Sequence, residues 1–131
     1  MRKIKIRLSQ AENYATEIAQ TLKGGEVLAL IGELGSGKTT FTKALGKALG
    51  IKRNIPSPTF VMMQEFKTKR GLILYHLDLY RTKNFTEVKS LGITEWWGHP
   101  KTVTVLEWAD KIQDHLPKKT IFIYLTRDND L

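Results

Sequence analysis

The segment that most constrains this chain is a glycine-rich stretch, G-E-L-G-S-G-K-T, at residues 32–39. An unbroken apolar run, V-L-A-L-I at residues 27–31, precedes it, and a helical pattern over residues 40–49 follows it. The spacing G-x-x-x-x-G-K-[ST] between a buried strand and a helix is that of a phosphate-binding P-loop. The stretch therefore predicts an anion site and an α/β architecture around it.

Each residue type in this loop has a physical reason to be there. Its three glycines let the backbone take positive φ and approach a ligand with no Cβ in the way. Backbone N–H groups over residues 34–39 can then converge on an anion at the start of the helix. Lys38 offers a mobile ammonium to the β and γ phosphates, and the Thr39 hydroxyl offers a ligand to the magnesium ion that bridges them. The plainer alternative is a glycine-rich turn with a solvated lysine.

Length and composition bound the class of protein. At 131 residues the chain is expected to form one domain over residues 1–131. Cysteine is absent, which excludes disulfides and thiolate metal sites, and His76, His99 and His115 are too scattered for a zinc site. No apolar stretch has the length of a membrane span, and no signal-peptide pattern follows the basic N-terminus. We therefore expect a cytoplasmic protein.

The charge balance is basic. Lysine and arginine outnumber aspartate and glutamate by 21 to 13, which gives a formal charge of +8. Such a balance suits nucleotides, nucleic acid or an acidic protein partner. However, no basic run is long, and none alternates with aromatic residues as a single-strand binding surface would. A solvated lysine-rich surface is favoured over direct nucleic-acid binding.

The remaining pattern predicts a doubly wound α/β fold of the P-loop NTPase type, a three-layer sandwich with a mixed, mainly parallel sheet. Ser9 is the predicted cap of the first helix. Segments 59–66 and 72–77 read as a hairpin, so one strand pair should be antiparallel. The ligand is expected at the carboxyl ends of the strands. The predicted strands are residues 4–8, 27–31, 59–66, 72–77, 103–106 and 121–125, and the helices are residues 11–22, 40–49, 85–91 and 108–116.

Two acids follow predicted strands. Asp78 comes directly after residues 72–77, and Glu107 comes directly after residues 103–106. A lone acid after a strand is often a helix cap or a solvated loop residue. Here the P-loop favours a functional role, because a magnesium site needs a carboxylate beside Thr39. Either acid could contact the metal, and the pattern leaves that choice open.

A proline-bent loop supplies two further candidates. Thr59 follows Ser57-Pro58, an arrangement similar to switch segments that sense a γ phosphate through a hydroxyl group. A strand-initiating threonine after a rigid turn fits the spacing equally well. Arg81 lies three residues after Asp78 and could reach a phosphate or a partner, although a surface ion pair is commoner for such an arginine.

Five segments together resemble one known family. The combination of Ser-Pro-Thr with His-x-Asp-x-Tyr-Arg, in order and spacing over nearly the whole chain, is far more specific than the P-loop alone. On these residues the chain resembles the bacterial TsaE family, also called YjeE. The segments are G-E-L-G-S-G-K-T-T at 32–40, S-P-T-F at 57–60, H-L-D-L-Y-R at 76–81, L-G-I at 91–93 and L-E-W at 106–108.

The resemblance implies a small magnesium-dependent ATPase that works with the TsaB and TsaD proteins. Their product would be threonylcarbamoyladenosine in the anticodon loop of tRNAs that read codons starting with A. The ATPase would act on the TsaB–TsaD complex without transferring the carbamoyl group itself. Contact with tRNA would be indirect or weak, and no membrane is implied.

The resemblance also implies roles by position. Thr39 and Glu107 would be the magnesium ligands. Thr59 would be the switch threonine and Asp78 a catalytic or water-ordering acid, acting with Lys38 and Glu107. The ATP phosphate site would comprise Gly35, Ser36, Gly37, Lys38, Thr39 and Thr40.

Around this implied site, the resemblance places Arg81 and Trp108 at the rim or on a partner surface. Many family members continue beyond the position of Leu131 with residues that help cover the nucleotide. Adenine contacts are therefore expected from residues 9–11, at the start of the first helix, rather than from the C-terminal end.

Two other classes use the same loop. A small-molecule kinase normally carries an arginine-bearing lid, and no arginine-rich lid segment is present. A regulatory GTPase would carry an Asn-Lys-x-Asp segment to read guanine, and W-A-D-K at residues 108–111 is not one. The auxiliary ATPase is favoured over the kinase and over a regulatory nucleotide switch.

Overall fold

A computed structural model describes residues 2–33, 35–51, 63–79, 84–90 and 92–128 of the chain. No helix in these ranges is long and apolar enough to cross a membrane. The strands there are β1 Arg2–Arg7, β2 Val27–Ile31, β3 Met63–Lys67, β4 Ile73–Asp78, β5 Thr102–Glu107 and β6 Ile121–Thr126. The α-helices are α1 Ala11–Thr21, α2 Lys38–Ala48 and α3 Phe85–Ser90.

Within the described residues the strands form one sheet in the order β1-β6-β2-β5-β4-β3. The pairs β1–β6, β6–β2, β2–β5 and β5–β4 are parallel, whereas β3 pairs with β4 in the antiparallel sense. The predicted mixed, mainly parallel sheet is confirmed, as is the hairpin. The strand that precedes the P-loop is central, so its carboxyl end opens between β5 and β6.

One face of the sheet packs against α1 and α2. Leu28, Leu30 and Val105 point to this face and lie in one apolar cluster with buried residues of both helices. The helices themselves are in extensive contact with each other. Apolar residues at helical spacing on α1, such as Ala15 and Ile18, are buried, because that stripe faces the sheet.

The opposite face is covered by shorter elements. Ala29, Leu77 and Leu106 pack there against α3 and a 3₁₀ segment, Ala109–His115. This segment was predicted as a helix over residues 108–116, and it consists of two tight turns that meet at Ile112, where φ is −129°. The sheet therefore has helical elements on both faces, as a three-layer sandwich requires.

Local ends differ from the predictions. Ser9 does not cap α1; it lies inside a 3₁₀ turn, Leu8–Gln10, and Gln10 precedes the helix. Helix α1 ends at Thr21, one residue before the end of the predicted range 11–22. The guanidinium of Arg70 caps this end, since it donates hydrogen bonds to the carbonyl oxygens of Ala19 and Leu22.

Candidate phosphate-binding site

The loop between β2 and α2 has the backbone geometry of an anion-binding turn. Gly35 and Gly37 have φ of 81° and 109°, in the left-handed region that favours glycine. The Ser36 N–H donates to the Glu33 carbonyl oxygen at 3.0 Å, which closes the turn. Helix α2 begins at Lys38. The loop therefore directs the first turn of a helix toward the carboxyl edge of the sheet.

Two of the loop glycines are also required by close packing. A Cβ on Gly32 would overlap the Ser36 side chain and lie 2.6 Å from the Leu125 carbonyl oxygen. A Cβ on Gly37 would lie 2.8 Å from a methyl group of Leu8. The loop is thus pressed between the end of β6 and the turn that precedes α1, and larger residues would displace it.

Lys38 is buried although it is charged. The residue is 6% exposed. The Nζ group donates to the Gly32 carbonyl oxygen and lies 3.7 Å from the centroid of the Trp108 ring. A carbonyl oxygen and an aromatic face both attract a cation. The ammonium group is therefore held inside the loop by contacts to the protein.

Trp108 reaches this position through an unusual backbone. Its φ is 61° and its ψ is 34°, and it is the one non-glycine residue with positive φ in the part of the chain that the structure describes. An L-residue adopts this conformation at a cost of about 1–2 kcal/mol. The chain turns sharply at the end of β5, and the indole ring comes back over the loop lysine.

The two strand-end acids lie side by side. Asp78 and Glu107 are the last residues of β4 and β5, and they are directly paired in the parallel register. Residues paired in this way point to the same face of the sheet. Leu30, which is paired with Glu107 on its other side, belongs to the face covered by α1 and α2. Both carboxylates are therefore on the face from which α2 extends.

The environments of the two acids differ. Glu107 is 4% exposed, and its Oε2 atom lies 2.5 Å from Nε2 of His76. His76 is 1% exposed and lies two residues before Asp78 on the same strand face. Asp78 is half-buried. Glu107 is thus held inside the protein by a charge-assisted hydrogen bond.

A cavity of about 610 Å³ opens beside the loop, between the carboxyl ends of β2 and β6. Ile31 and Tyr124 contribute apolar surface, and Arg127 contributes a guanidinium group. The Nε and Nη2 atoms of Arg127 lie 3.6 Å from the position that a Cβ on Gly35 would occupy. The C-terminal side of the sheet therefore borders the loop.

The segment that precedes α1 is joined to the segment that follows β6. The Ser9 N–H donates to Oδ1 of Asp128 at 3.0 Å. Hydrogen bonds from the backbone of Ser9 and, to a smaller extent, from its side chain lower the pKa of the Asp128 carboxyl below its usual value. The start of α1 and the end of β6 are thereby held together next to the loop. Adenine contacts by residues 9–11 stay a prediction.

The remaining predicted residues fall into two groups. Thr39 is half-buried and Thr40 is exposed on the first turn of α2. Thr59 and Arg81 lie outside the described residues, so their placement stays a prediction. The roles assigned to Lys38 and to the phosphate-binding residues likewise stay predictions.

The described side chains fit the way proteins hold magnesium. No three His, Cys, Asp or Glu side chains among the described residues cluster closely enough to hold a metal by themselves. Magnesium, however, is usually bound by one or two carboxylates together with substrate phosphates and water. Glu107, Asp78 and the Thr39 hydroxyl are oxygen donors of that kind on elements that meet at one edge of the sheet.

Sequence reasoning missed three features of this site. His76 was used as part of a family motif and given no role in the site, although its spacing of two from Asp78 already placed it on the face of the acids. Tyr124 and Arg127 were also missed, and the rule that ligands bind at the carboxyl ends of strands, applied to the last strand, would have found them. No sequence pattern indicated the positive φ of Trp108.

The strand order, the glycine-rich loop after a central strand and the helix that begins at its lysine define an α/β fold of the P-loop class. The family model described as threonylcarbamoyl adenosine biosynthesis protein TsaE matches residues 7–131. The chain belongs to the TsaE family.

Curated relatives carry the name tRNA threonylcarbamoyladenosine biosynthesis protein TsaE. The Bacillus subtilis protein is 42% identical over 109 residues, covering 82% of this chain and 66% of that protein, just under two thirds of its length. The Aquifex aeolicus protein is 38% identical over 122 residues, covering 87% and 91%. The Treponema pallidum protein is 33% identical over 125 residues, covering 95% and 90%.

A solved structure agrees with the fold. The crystal structure of Bacillus subtilis YdiB superposes with a TM-score of 0.67 at 35% sequence identity. The match covers 86% of this chain and 67% of that one. The family's role in tRNA threonylcarbamoyladenosine biosynthesis is therefore the framework in which the site must be interpreted.

Proposed function

We propose that this protein is a cytoplasmic, magnesium-dependent ATPase that acts with TsaB and TsaD in forming threonylcarbamoyladenosine on tRNAs that read codons starting with A. The observation that carries the proposal is that a buried P-loop lysine, Lys38, begins the helix that follows central strand β2, while two in-register carboxylates, Asp78 and Glu107, end the neighbouring strands at the same edge of the sheet. Nucleotide hydrolysis needs both parts, because phosphates must be bound and the reacting water must be ordered.

In this proposal the loop residues bind the phosphates of ATP. The ammonium of Lys38 exchanges the Gly32 carbonyl oxygen for phosphate oxygens, which are stronger acceptors because they are charged. The N–H groups at the start of α2 add to this site, since the helix dipole favours negative charge there. Gly35, Ser36, Gly37, Thr39 and Thr40 belong to the same loop and first turn.

The acids divide the remaining work. Glu107 and the Thr39 hydroxyl hold the magnesium ion, which, when bound, neutralises charge on the β and γ phosphates. Asp78 is half-buried beside Glu107 and orients the attacking water. Thr59 senses the γ phosphate, as its proline-bent setting suggests. The base and ribose occupy the cavity between the ends of β2 and β6, against Tyr124.

The first experiment tests the chemistry in the isolated protein. Lys38→Ala should abolish productive ATP binding, and Glu107→Ala should remove hydrolysis while nucleotide still binds. Magnesium-dependent phosphate release and calorimetric binding of ATP would be measured for both. Normal turnover in both variants would rule out the assignment. Leu74→Val, a buried change on the same face of the sheet, controls for a general effect on the fold.

The second experiment tests the partners. ATP hydrolysis should rise when the TsaB–TsaD pair is added, and modified tRNA should accumulate over multiple turnovers only when all three proteins are present. Lys38→Ala should abolish both effects. An unchanged rate with a TsaB–TsaD pair of demonstrated integrity would contradict the partner assignment and leave the ATPase assignment standing.

A further inference from the structure

His76 occupies a position where packing alone favours an apolar residue. Leu74 lies two residues earlier on the same strand face, and the register partner of His76 on β5 is Val105. Both have no exposed surface, and His76 is 1% exposed. Burying a polar ring among such neighbours is unfavourable unless the ring makes a hydrogen bond. Filling space alone therefore does not account for a histidine at this position.

Its contacts point to one partner. Nε2 of His76 lies 2.5 Å from Oε2 of Glu107. The other ring nitrogen, Nδ1, is buried and has no hydrogen-bond partner among the described residues. A carboxylate can only accept hydrogen bonds, so the imidazole N–H is the donor. The ring therefore donates its hydrogen bond to Glu107.

This contact restricts a flexible side chain. A glutamate has three rotatable side-chain bonds, whereas His76 projects from β4, which is paired on both sides by β5 and β3. The hydrogen bond fixes Oε2, and Oε1 accepts no hydrogen bond within the described part of the chain. One oxygen of the carboxylate is thus held by the protein and the other is left for a cation.

We propose that His76 is a positioning residue that orients the Glu107 carboxylate for magnesium. It contacts neither nucleotide nor metal, and it acts through Glu107. The inference rests on the proposed function, in which Glu107 is a magnesium ligand. Removing a group that hydrogen-bonds to a metal ligand typically weakens metal affinity about 10- to 100-fold.

The test measures metal binding without turnover. Mn²⁺ is used as the probe because it accepts the same oxygen ligands as Mg²⁺. Free Mn²⁺ would be followed by electron paramagnetic resonance in the presence of the non-hydrolysable ATP analogue AMP-PNP. The variants are His76→Leu, which fills the space without a donor, and His76→Gln, whose amide nitrogen can take the place of Nε2. Leu74→Val serves as the packing control.

We expect His76→Leu to weaken Mn²⁺ binding about 10- to 100-fold and His76→Gln to stay within a few-fold of the unmodified protein. AMP-PNP affinity measured in EDTA should be unchanged in both, because Glu107 acts through the metal. Leu74→Val should lower the unfolding temperature without changing Mn²⁺ affinity. A purely structural histidine would lower the unfolding temperature in the same way and leave Mn²⁺ binding intact.

Two outcomes would overturn the inference in distinguishable ways. If His76→Leu binds Mn²⁺ as the unmodified protein does while Glu107→Gln loses it, His76 has no positioning role and the proposed function stands. If Glu107→Gln also retains Mn²⁺ binding, the magnesium assignment itself is wrong.

Should His76→Leu fail to fold, His76→Asn replaces it. The asparagine amide nitrogen would lie near the position of Nδ1, and the side chain is too short for this nitrogen to reach Glu107. A large difference between the Gln and Asn variants in Mn²⁺ affinity supports the inference, and equal affinities contradict it.

Discussion

On β5, Val103 and Val105 lie fully buried against the layer of α1 and α2, and two residues further along the same face lies Glu107, buried to a similar degree. The same change occurs on β4, where Leu74 is followed by His76 and then Asp78. The interior of the sheet is apolar, whereas its carboxyl edge buries ionisable groups.

The interior and the carboxyl edge contribute to stability in different ways. Interior residues gain stability by leaving water, at about 25 cal/mol per Å² of apolar surface. Charged groups lose hydration when they are buried, and only contacts with polar or aromatic partners offset that loss. Lys38 has such contacts with Gly32 and Trp108. Changes in the interior should therefore lower stability, and changes at the edge should alter ligand binding while affecting stability less.

The largest effect on stability is expected from Phe41→Ala, in the interior. Phe41 has no exposed surface, and its ring lies 6.4 Å from that of Tyr14 across the α1–α2 interface. Truncation should lower the free energy of unfolding by about 3–5 kcal/mol because it removes buried surface and leaves a cavity. Urea unfolding measures this. A small loss of stability would contradict the difference between interior and edge. So would a loss of ATP affinity in the folded fraction of the variant.

A smaller effect is expected at the edge, from a pair of substitutions at Trp108. Trp108→Ala and Trp108→Gly both remove the indole ring from Lys38, but only glycine adopts φ of 61° without strain. The glycine variant should be more stable than the alanine variant by about 1–2 kcal/mol. Thermal unfolding of the two variants side by side checks the difference. Equal stability would show that the backbone at this turn relaxes when the ring is removed.

The smallest effect is expected from Asp128→Ala, which removes the acceptor of the Ser9 N–H at the rim of the site. The group is exposed, so global stability should scarcely change. Hydrogen exchange of the Ser9 amide should become several-fold faster, and exchange in the middle of α1 should not. Unchanged exchange at Ser9 would mean that this hydrogen bond is not formed in solution.

The pH dependence of the same contact has a definite sign. The pKa of Asp128 is lowered in the folded protein, so its contribution to stability is present above the pKa of an unfolded aspartate and is lost as the pH falls through the folded value. Protection of the Ser9 amide should therefore persist at neutral pH and disappear in acid, below about pH 4. Asp128→Ala should show no such transition.

Much of the fold could be predicted from local patterns. The apolar run of β2 and the spacing of the loop glycines predicted a buried strand and a P-loop, and both are present. The turn between β3 and β4 predicted the antiparallel pair. These signals are local because a strand buried on both faces must be apolar throughout, and a tight turn requires glycine at particular positions.

Other features depended on residues distant in the sequence. Carbonyl groups at the end of α1 accept hydrogen bonds from Arg70, which lies in the turn between β3 and β4. Ser9 was predicted to cap α1, and its backbone N–H is instead bound to Asp128, 119 residues away. Such contacts leave no periodic pattern in the sequence.

The sequence alone was enough to predict the fold class, the glycine-rich loop and the two candidate acids, because spacing along a strand or turn places residues by local geometry. The tertiary structure alone decided that β5 lies between β2 and β4, and so brought Glu107 beside Asp78 and against His76. It also turned Trp108 back over Lys38. Strand order and close contacts depend on how the whole core packs, and that is a property of the complete chain rather than of any segment.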